Sequence, residues 1–292
     1  MNQFLDRPPM MHGQARGQAP ISIAPGVERV FDLKELPAVE VQLRPESRLV
    51  YFTDPYSPGA DRFRLLRMIL RELWTAGKLK SLLVTSSLPQ DGKSTVALNL
   101  VTALAEGGKR NVLLIEADLH RPSIGANLGI APRPGLAECL EVGLDPLSAI
   151  QRLEPLNWYL LAAGQADLNP TELLQAEALG GVMQTLSPLF DWIIIDSPPI
   201  TPLTDALSLA RHTSATLLVA REGETPRRSL EKSIALLGKQ RVLGVVLNGV
   251  DGLDQLYSGY YGNRDLLIAE RLRNRAATKV IEARPANGTL RI

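Results

Sequence analysis

A glycine–lysine–serine turn between an apolar strand and a helical pattern constrains this chain more than any other feature. The segment Ser87–Thr95 reads Ser-Leu-Pro-Gln-Asp-Gly-Lys-Ser-Thr. It matches the phosphate-binding pattern G-x-x-x-x-G-K-[ST], with Ser87 in place of the first glycine. Gly92 lets the backbone approach phosphate oxygens, which backbone N–H groups and the helix N-terminus then bind. The sequence therefore predicts a P-loop.

The polar residues of this turn have separate chemical roles in the prediction. Lys93 is expected to neutralise the β- and γ-phosphates of ATP, and the Ser94 hydroxyl to bind Mg²⁺. The alternative is an ordinary strand–turn–helix, which the acidic motifs described below make less favourable. The predicted nucleotide-binding residues of the loop are Ser87, Asp91, Gly92, Lys93, Ser94 and Thr95.

Apolar strand-like runs alternate with helical patterns around the P-loop. The helical patterns cover residues 94–106, 171–186, 206–211 and 226–238. This alternation predicts βαβ units, and hence an α/β fold with a mostly parallel sheet and helices on both faces. Ligands of such sheets bind beyond the carboxyl ends of the strands. The predicted strands are Leu82–Ser86, Val112–Glu116, Trp158–Ala162, Trp192–Asp196, Leu217–Ala220 and Val242–Leu247.

Carboxylates stand at the ends of two of these strands. Glu116 and Asp118 close one strand, and Asp196 closes another. An acid at such a place is costly unless it is paired or holds a metal. Asp196 is predicted to hold Mg²⁺ directly or through water. Asp118 and Glu116 are predicted to orient the metal's water shell or to accept a proton from a nucleophilic hydroxyl; a solvated strand end or a helix cap is the alternative.

Composition narrows the class of protein further. The chain has 292 residues, a net charge of +1 and no long basic stripe, so nucleic acid is not expected as a partner. Its single cysteine, Cys139, excludes an internal disulfide and fits a reducing cytoplasm. The sequence has no secretory signal and no apolar run long enough to span a membrane. We expect a cytoplasmic protein whose contact with membrane is indirect.

The remaining segments suggest the domain organisation. Residues 1–45 are rich in Pro, Gly and Gln and are predicted to form a disordered tail. The α/β domain is predicted over residues 46–255, with an amphipathic helix at 61–74, and a C-terminal tail over 256–292. In that tail, Asp265–Arg275 is a possible amphipathic stretch. A solvated helix is favoured for it over a contact with anionic lipid or a partner.

Four motifs occur together along the chain. The P-loop lies in the run Thr85–Ser94, which reads T-S-S-x-P-x-D-G-K-S. An Asn-Pro-x-Glu-Leu-Leu segment occupies Asn169–Leu174, and the second acidic strand ends in Asp-Ser-Pro-Pro at Asp196–Pro199. The helix at 61–74 contains Asp61-x-x-Arg64-x-x-Arg67. Together these motifs resemble the bacterial tyrosine kinases of capsule and exopolysaccharide export, a family with a MinD-like P-loop fold and an E-x-x-R-x-x-R assembly motif.

The resemblance implies roles for the site residues. Lys93, Glu116, Asp118 and Asp196 would be catalytic, with ATP and Mg²⁺ as cofactors. Asn248 would lie near the adenine, with a loop asparagine as the alternative. The metal ligands would be Ser94, Asp118 and Asp196.

The resemblance also implies autophosphorylation on neighbouring copies of the chain. The acceptors would be Tyr257, Tyr260 and Tyr261, although an aromatic docking segment is the alternative. Ring assembly would use Asp61 and the two arginines that follow it. A membrane chain-length or export protein would activate the kinase and recruit it to the inner face of the plasma membrane.

Two alternatives to an ATP-dependent tyrosine autokinase remain at this stage. The first is a catalytically weak ATP-binding assembly factor of the same export system. It is suggested by Glu116, where the family usually has Asp, and by His120, where it usually has Arg. The second is a MinD/ParA-like ATPase, although those proteins carry a signature lysine where this chain has Leu88.

Overall fold

The computed structural model describes residues 32–43, 48–175 and 177–250 of the chain. The fold is that of the unit beginning at Leu33. The three predicted acceptor tyrosines and the stretch Asp265–Arg275 lie outside the described residues.

The described ranges contain eight strands and ten α-helices, with 3₁₀ turns at Leu33–Glu35 and Lys239–Arg241. The strands are β1 (Ala38–Glu40), β2 (Ser81–Ser86), β3 (Val112–Glu116), β4 (Gln151–Glu154), β5 (Trp158–Leu161), β6 (Trp192–Asp196), β7 (Ala215–Arg221) and β8 (Val242–Asn248). The helices are α1 (Val50–Thr53), α2 (Pro58–Thr75), α3 (Lys93–Ala105), α4 (Ile124–Asn127), α5 (Leu136–Glu141), α6 (Pro146–Ala149), α7 (Pro170–Gln175), α8 (Ala178–Leu186), α9 (Asp205–Ala210) and α10 (Arg227–Leu237).

All eight strands form one sheet in the order β1-β4-β5-β3-β6-β2-β7-β8. Every neighbouring pair is parallel except β4 and β5, which are antiparallel. The predicted α/β class with a mostly parallel, helix-covered sheet is therefore confirmed. The register sets Glu116 beside Asp196 at the carboxyl ends of β3 and β6, next to the strand that leads into the P-loop.

Apolar side chains on successive strand residues build a core on each face of the sheet. Leu82 and Val84 of β2 pack in the cluster that contains α3, whereas Leu83 belongs to the cluster on the other face. This follows from the alternation of side chains along a strand. Because both faces are covered, the strands read as continuous apolar runs rather than as alternating ones.

Two predictions about the elements need correction. The predicted tail at 1–45 is too long, because β1 pairs with β4 and Leu33, Leu36 and Val41 are buried. The predicted helix over 171–186 is two helices, α7 and α8, separated before Ala178. Within the described ranges, no helix combines the length and the apolar character needed to cross a membrane.

Candidate functional site

The P-loop joins the end of β2 to the start of α3 and depends on a glycine at position 92. Gly92 has a φ of +92°, a left-handed conformation that favours glycine. A Cβ at this position would lie 2.0 Å from Nδ2 of Asn248. Glycine is therefore needed at position 92 for a second reason besides the predicted approach of the backbone to phosphate: the side chain of Asn248, at the end of β8, leaves no room for a Cβ.

Hydrogen bonds of Asp91 hold the P-loop in its conformation. Its Oδ2 accepts a hydrogen bond from the backbone N–H of Leu88 at 3.1 Å, and its Oδ1 accepts one from the Thr225 hydroxyl at 2.7 Å. The Asn248 side chain donates to the Asp91 carbonyl oxygen at 3.0 Å. Asp91 is buried, so its carboxylate shapes the loop. The predicted roles of Asp91 and Asn248 toward the nucleotide stay predictions.

Two residues at the start of α3 meet the acids of the strand ends. Nζ of Lys93 lies 2.9 Å from Oδ2 of Asp118, and the Ser94 hydroxyl donates to Oδ2 of Asp196 at 2.7 Å. Asp118 also accepts the backbone N–H of Arg121 at 3.1 Å. These contacts arise because β3, β6 and β2 are adjacent and parallel, which brings their carboxyl ends to one edge. The structure thus brings together Lys93, Ser94, Asp118 and Asp196, as the sequence pattern predicted.

Burial controls the ionisation of this group. Desolvation raises the pKa of Asp196 to about 7, although Lys93 and the Ser94 hydroxyl act in the opposite direction. Burial lowers the pKa of Lys93, but the charges of Asp196 and Asp118 outweigh it, so that pKa is raised. Lys93 is therefore a firmly charged cation, and Asp196 needs a further positive charge to be fully ionised near neutral pH.

The donor set fits Mg²⁺. Oδ1 of Asp196 is buried and has no hydrogen-bond partner, while Oδ2 is beside the Ser94 hydroxyl. Hard oxygen ligands of this kind suit Mg²⁺, which usually takes one or two protein oxygens and completes its shell with phosphate and water. No group of three or more potential metal-binding His, Cys, Asp or Glu side chains is found in the part of the chain that the structure describes.

Glu116 is engaged with backbone amides. Its Oε1 accepts the N–H groups of Ser123 and Ile124, both at 2.6 Å, and its Oε2 accepts that of Ala163 at 3.3 Å. Burial raises the pKa of Glu116, and these N–H groups oppose the rise. The catalytic role predicted for Glu116 stays a prediction, because each of its oxygens already has a structural partner.

His120 is bonded to a buried acid. Its Nε2 lies 2.7 Å from Oδ2 of Asp205, and the Thr171 hydroxyl is 3.5 Å from the same nitrogen. Asp205 is fully buried at the start of α9, and its Oδ1 has no hydrogen-bond partner. One ring nitrogen thus satisfies one of two carboxylate oxygens, where an arginine would present several donors. His120 stands where the family usually has Arg, and only one of the two carboxylate oxygens of the buried Asp205 is hydrogen-bonded here.

Sequence patterns missed part of the cavity in front of the P-loop. This cavity of about 310 Å³ is also lined by residues from the segment before α1, the α4 region, the end of β7 and the position after β8. No local motif marks these positions, since they are brought to the loop only by the fold. They are Arg48, Ser123, Asn127, Arg221 and Gly249.

The residues of the predicted assembly motif make contacts within the chain. Arg64 pairs with Asp61 at 2.5 Å, and Arg67 donates to the Tyr51 hydroxyl at 3.0 Å and to the Ala103 carbonyl oxygen at 3.3 Å. The exposed apolar side chains of α2 are instead Leu65, Met68 and Ile69. Open grooves of about 830 and 520 Å³ run along this helix. Assembly through α2 stays a prediction.

A parallel sheet that carries a strand–P-loop–helix unit, with acids from two adjacent strand ends at Lys93 and Ser94, defines the P-loop nucleotide-binding class. No protein-family model matches the chain. It is 30% identical to the tyrosine-protein kinase YwqD of Bacillus subtilis strain 168 over 224 residues, which are 76% of this chain and 94% of YwqD. The chain belongs to the bacterial tyrosine kinase family.

Two further similarities agree with this assignment. The succinoglycan biosynthesis transport protein ExoP of Rhizobium meliloti strain 1021 is 30% identical over 235 residues, 78% of this chain. That alignment spans only 29% of ExoP. The solved kinase domain of the Escherichia coli tyrosine kinase ETK is 27% identical with a TM-score of 0.65, over 69% of this chain and 80% of that domain.

Proposed function

We propose that this chain binds ATP with Mg²⁺ and transfers the γ-phosphoryl group to tyrosine hydroxyls of neighbouring copies. The observation that carries the proposal is the pair of contacts at the start of α3, from Lys93 to Asp118 and from Ser94 to Asp196. These residues occupy the positions at which P-loop enzymes hold the phosphates and the metal. Family membership supports tyrosine as the acceptor.

In the proposed mechanism, the residues of the chain bind and orient the nucleotide. The backbone N–H groups after Gly92, at the N-terminus of α3, donate hydrogen bonds to the phosphate oxygens. Lys93 neutralises the β- and γ-phosphates, while Ser94 and Asp196 hold the metal. When bound there, Mg²⁺ would supply neutralisation of the phosphate charge.

Asp118 is proposed to accept the proton from the attacking tyrosine hydroxyl. Its Oδ2 is 2.9 Å from Nζ of Lys93, and its side chain is 7% exposed. Positioning and charge neutralisation account for most of the rate in phosphoryl transfer of this kind.

The biological setting is proposed from the relatives. ExoP carries a name from succinoglycan biosynthesis transport, which supports a role in exopolysaccharide or capsule export. We propose a membrane chain-length or export protein as activator, recruitment to the inner face of the plasma membrane, and assembly into a homo-oligomeric ring. The proposed acceptors are Tyr257, Tyr260 and Tyr261, in the predicted C-terminal tail over residues 256–292.

The test is direct detection of phosphotyrosine. Purified full-length chain is incubated with Mg-ATP, with and without a peptide from the cytoplasmic end of a candidate activator, and mapped by mass spectrometry. Label on Tyr257, Tyr260 or Tyr261 that disappears in Lys93→Met supports the kinase. A wild-type chain that binds ATP but stays unlabelled with every activator peptide contradicts it.

Two observations favour a second function, that of a catalytically weak ATP-binding assembly factor. Both oxygens of Glu116 are engaged with backbone N–H groups, and His120 faces Asp205. These two residues are the family departures in the acidic motif. Nucleotide-dependent change in sedimentation without any phosphotyrosine would select this function over the kinase.

A further inference from the structure

We propose that Arg48 is a ligand of the nucleotide's polyphosphate, supplied from outside the P-loop and the acidic motifs. This inference rests on the proposed function, because it deepens the nucleotide site. Arg48 lines the same cavity as Gly92, Lys93 and Thr95. It belongs to the segment that enters α1, 45 residues before Lys93 in the sequence, so no motif connects it with the loop.

A single buried side chain fixes the position of Arg48 against the P-loop helix. Nδ2 of Asn99, in α3, donates to the carbonyl oxygen of Arg48 at 3.0 Å and to that of Thr95 at 2.9 Å. Oδ1 of Asn99 accepts the backbone N–H of Tyr51 at 2.9 Å. The side chain is thus bonded to the chain on both sides of Leu49. Arg48 is therefore held by the helix that begins at the P-loop, rather than only by its own segment.

The backbone of Arg48 is in an unfavourable conformation. Its φ is +50°, in the left-handed region that residues with a Cβ seldom adopt. Such conformations persist where the surroundings over-determine them, and they cluster at ligand clamps. Here the surroundings are the Asn99 bonds, which hold an arginine at the mouth of a phosphate-binding loop.

Of the basic side chains that line the cavity, Lys93 and Arg221 are each paired with an acid, whereas Arg48 is available to bind a ligand. Lys93 is paired with Asp118 at 2.9 Å. Arg221 is 3.3 Å from Glu224 and donates to the Gln90 carbonyl oxygen at 3.5 Å. Within residues 32–43, 48–175 and 177–250, Arg48 has no acidic partner. A guanidinium suits phosphate oxygens because it donates two parallel hydrogen bonds to them.

Calorimetric titration of the full chain with Mg-ADP and Mg-ATP tests the inference. Arg48→Gln is expected to bind both nucleotides about tenfold or more weakly, the loss typical of a charge-assisted hydrogen bond. The matched control is Arg228→Gln, which removes an exposed arginine of α10 and is expected to bind as the wild type does.

A second variant separates ligand binding from a structural role. Arg48→Gly is expected to lose the same affinity while its thermal midpoint stays unchanged or rises, because glycine adopts a φ of +50° without strain. Both Arg48 variants binding within about twofold of the wild type would overturn the inference and leave the proposed function standing. A wild-type chain that binds neither nucleotide would remove the proposed function, and this inference with it.

Discussion

The hydroxyl of Ser94 donates to Oδ2 of Asp196 across 2.7 Å, joining the first turn of α3 to the end of β6. The other oxygen of that carboxylate, Oδ1, is buried and has no hydrogen-bond partner. The Asp196 carboxylate is therefore held in one orientation by Ser94, while its Oδ1 is available to bind a further ligand. This arrangement suits a residue that holds a divalent cation beside a nucleotide, and it makes Asp196 costly to ionise on its own.

The cost of ionising Asp196 predicts a pH-dependent stability. Burial raises its pKa to about 7 in the folded chain, above the value of about 3.9 in an unfolded one. Its contribution to the free energy of unfolding is therefore fully present below about pH 4 and is lost as the pH rises through about 7. Asp196→Asn should gain stability relative to the wild type between pH 5 and pH 8. Urea denaturation in the presence of a chelator measures this.

Asp54→Asn is the matched control for that experiment, since Asp54 is exposed. The control should follow the wild type at both pH values. If the free energy of unfolding had the same pH dependence in the wild type and in Asp196→Asn, ionisation of the buried Asp196 carboxylate would not be what destabilises the fold as the pH rises.

Glu116→Gln is predicted to act on stability more than on nucleotide affinity. Glutamine keeps one acceptor oxygen but turns an N–H₂ group toward backbone N–H donors that Glu116 now satisfies. The loss should be about 1–3 kcal/mol in the free energy of unfolding, typical of a buried unpaired donor. Urea denaturation and a titration with Mg-ATP check the two effects separately. The control is Glu72→Gln, at an exposed position of α2. Normal stability with lost phosphoryl transfer would instead assign Glu116 a direct catalytic role.

Two substitutions in α2, the predicted assembly helix, distinguish an effect on folding from an effect on association. Arg67→Ala should lower the stability of the monomer by about 1–2 kcal/mol, because it removes hydrogen bonds to Tyr51 and Ala103. Met68→Asp should leave that stability within about 0.5 kcal/mol, since the side chain is 55% exposed. It should nevertheless shift a ring toward monomer in sedimentation velocity.

Leu236→Asp is the control for association, because Leu236 is 50% exposed but lies on α10. It should leave sedimentation unchanged. Dissociation by Leu236→Asp and not by Met68→Asp would place the contact away from α2.

The central strands and the P-loop were predictable from sequence because their signals are local. Both β3 and β6 occur at the predicted bounds, Val112–Glu116 and Trp192–Asp196. Strands buried on both faces are continuous apolar runs, and each ends at a chemically distinctive acid. The meeting of Ser94 with Asp196 then followed from the rule that parallel strands end at one edge.

What escaped prediction depends on contacts between distant segments. The three-residue strand β1 is mostly exposed and becomes a strand only by pairing with β4. Likewise, Glu116 has the acidic residue type expected of a catalytic strand end, but the loop at Ser123 and Ile124 bonds to its carboxylate. Arg48 lines the cavity because the Asn99 side chain hydrogen-bonds to its carbonyl oxygen and holds it there. A pattern read along the chain contains none of these pairings.

Calorimetric titration of the full-length chain with ATP, first with Mg²⁺ and then with a chelator, tests whether the turn at Gly92–Ser94 binds nucleotide phosphates while Ser94 and Asp196 hold the metal. We predict saturable binding with Mg²⁺ that weakens about tenfold or more in the chelator and in Lys93→Met. No heat and no thermal shift at saturating ATP with Mg²⁺ would contradict the account.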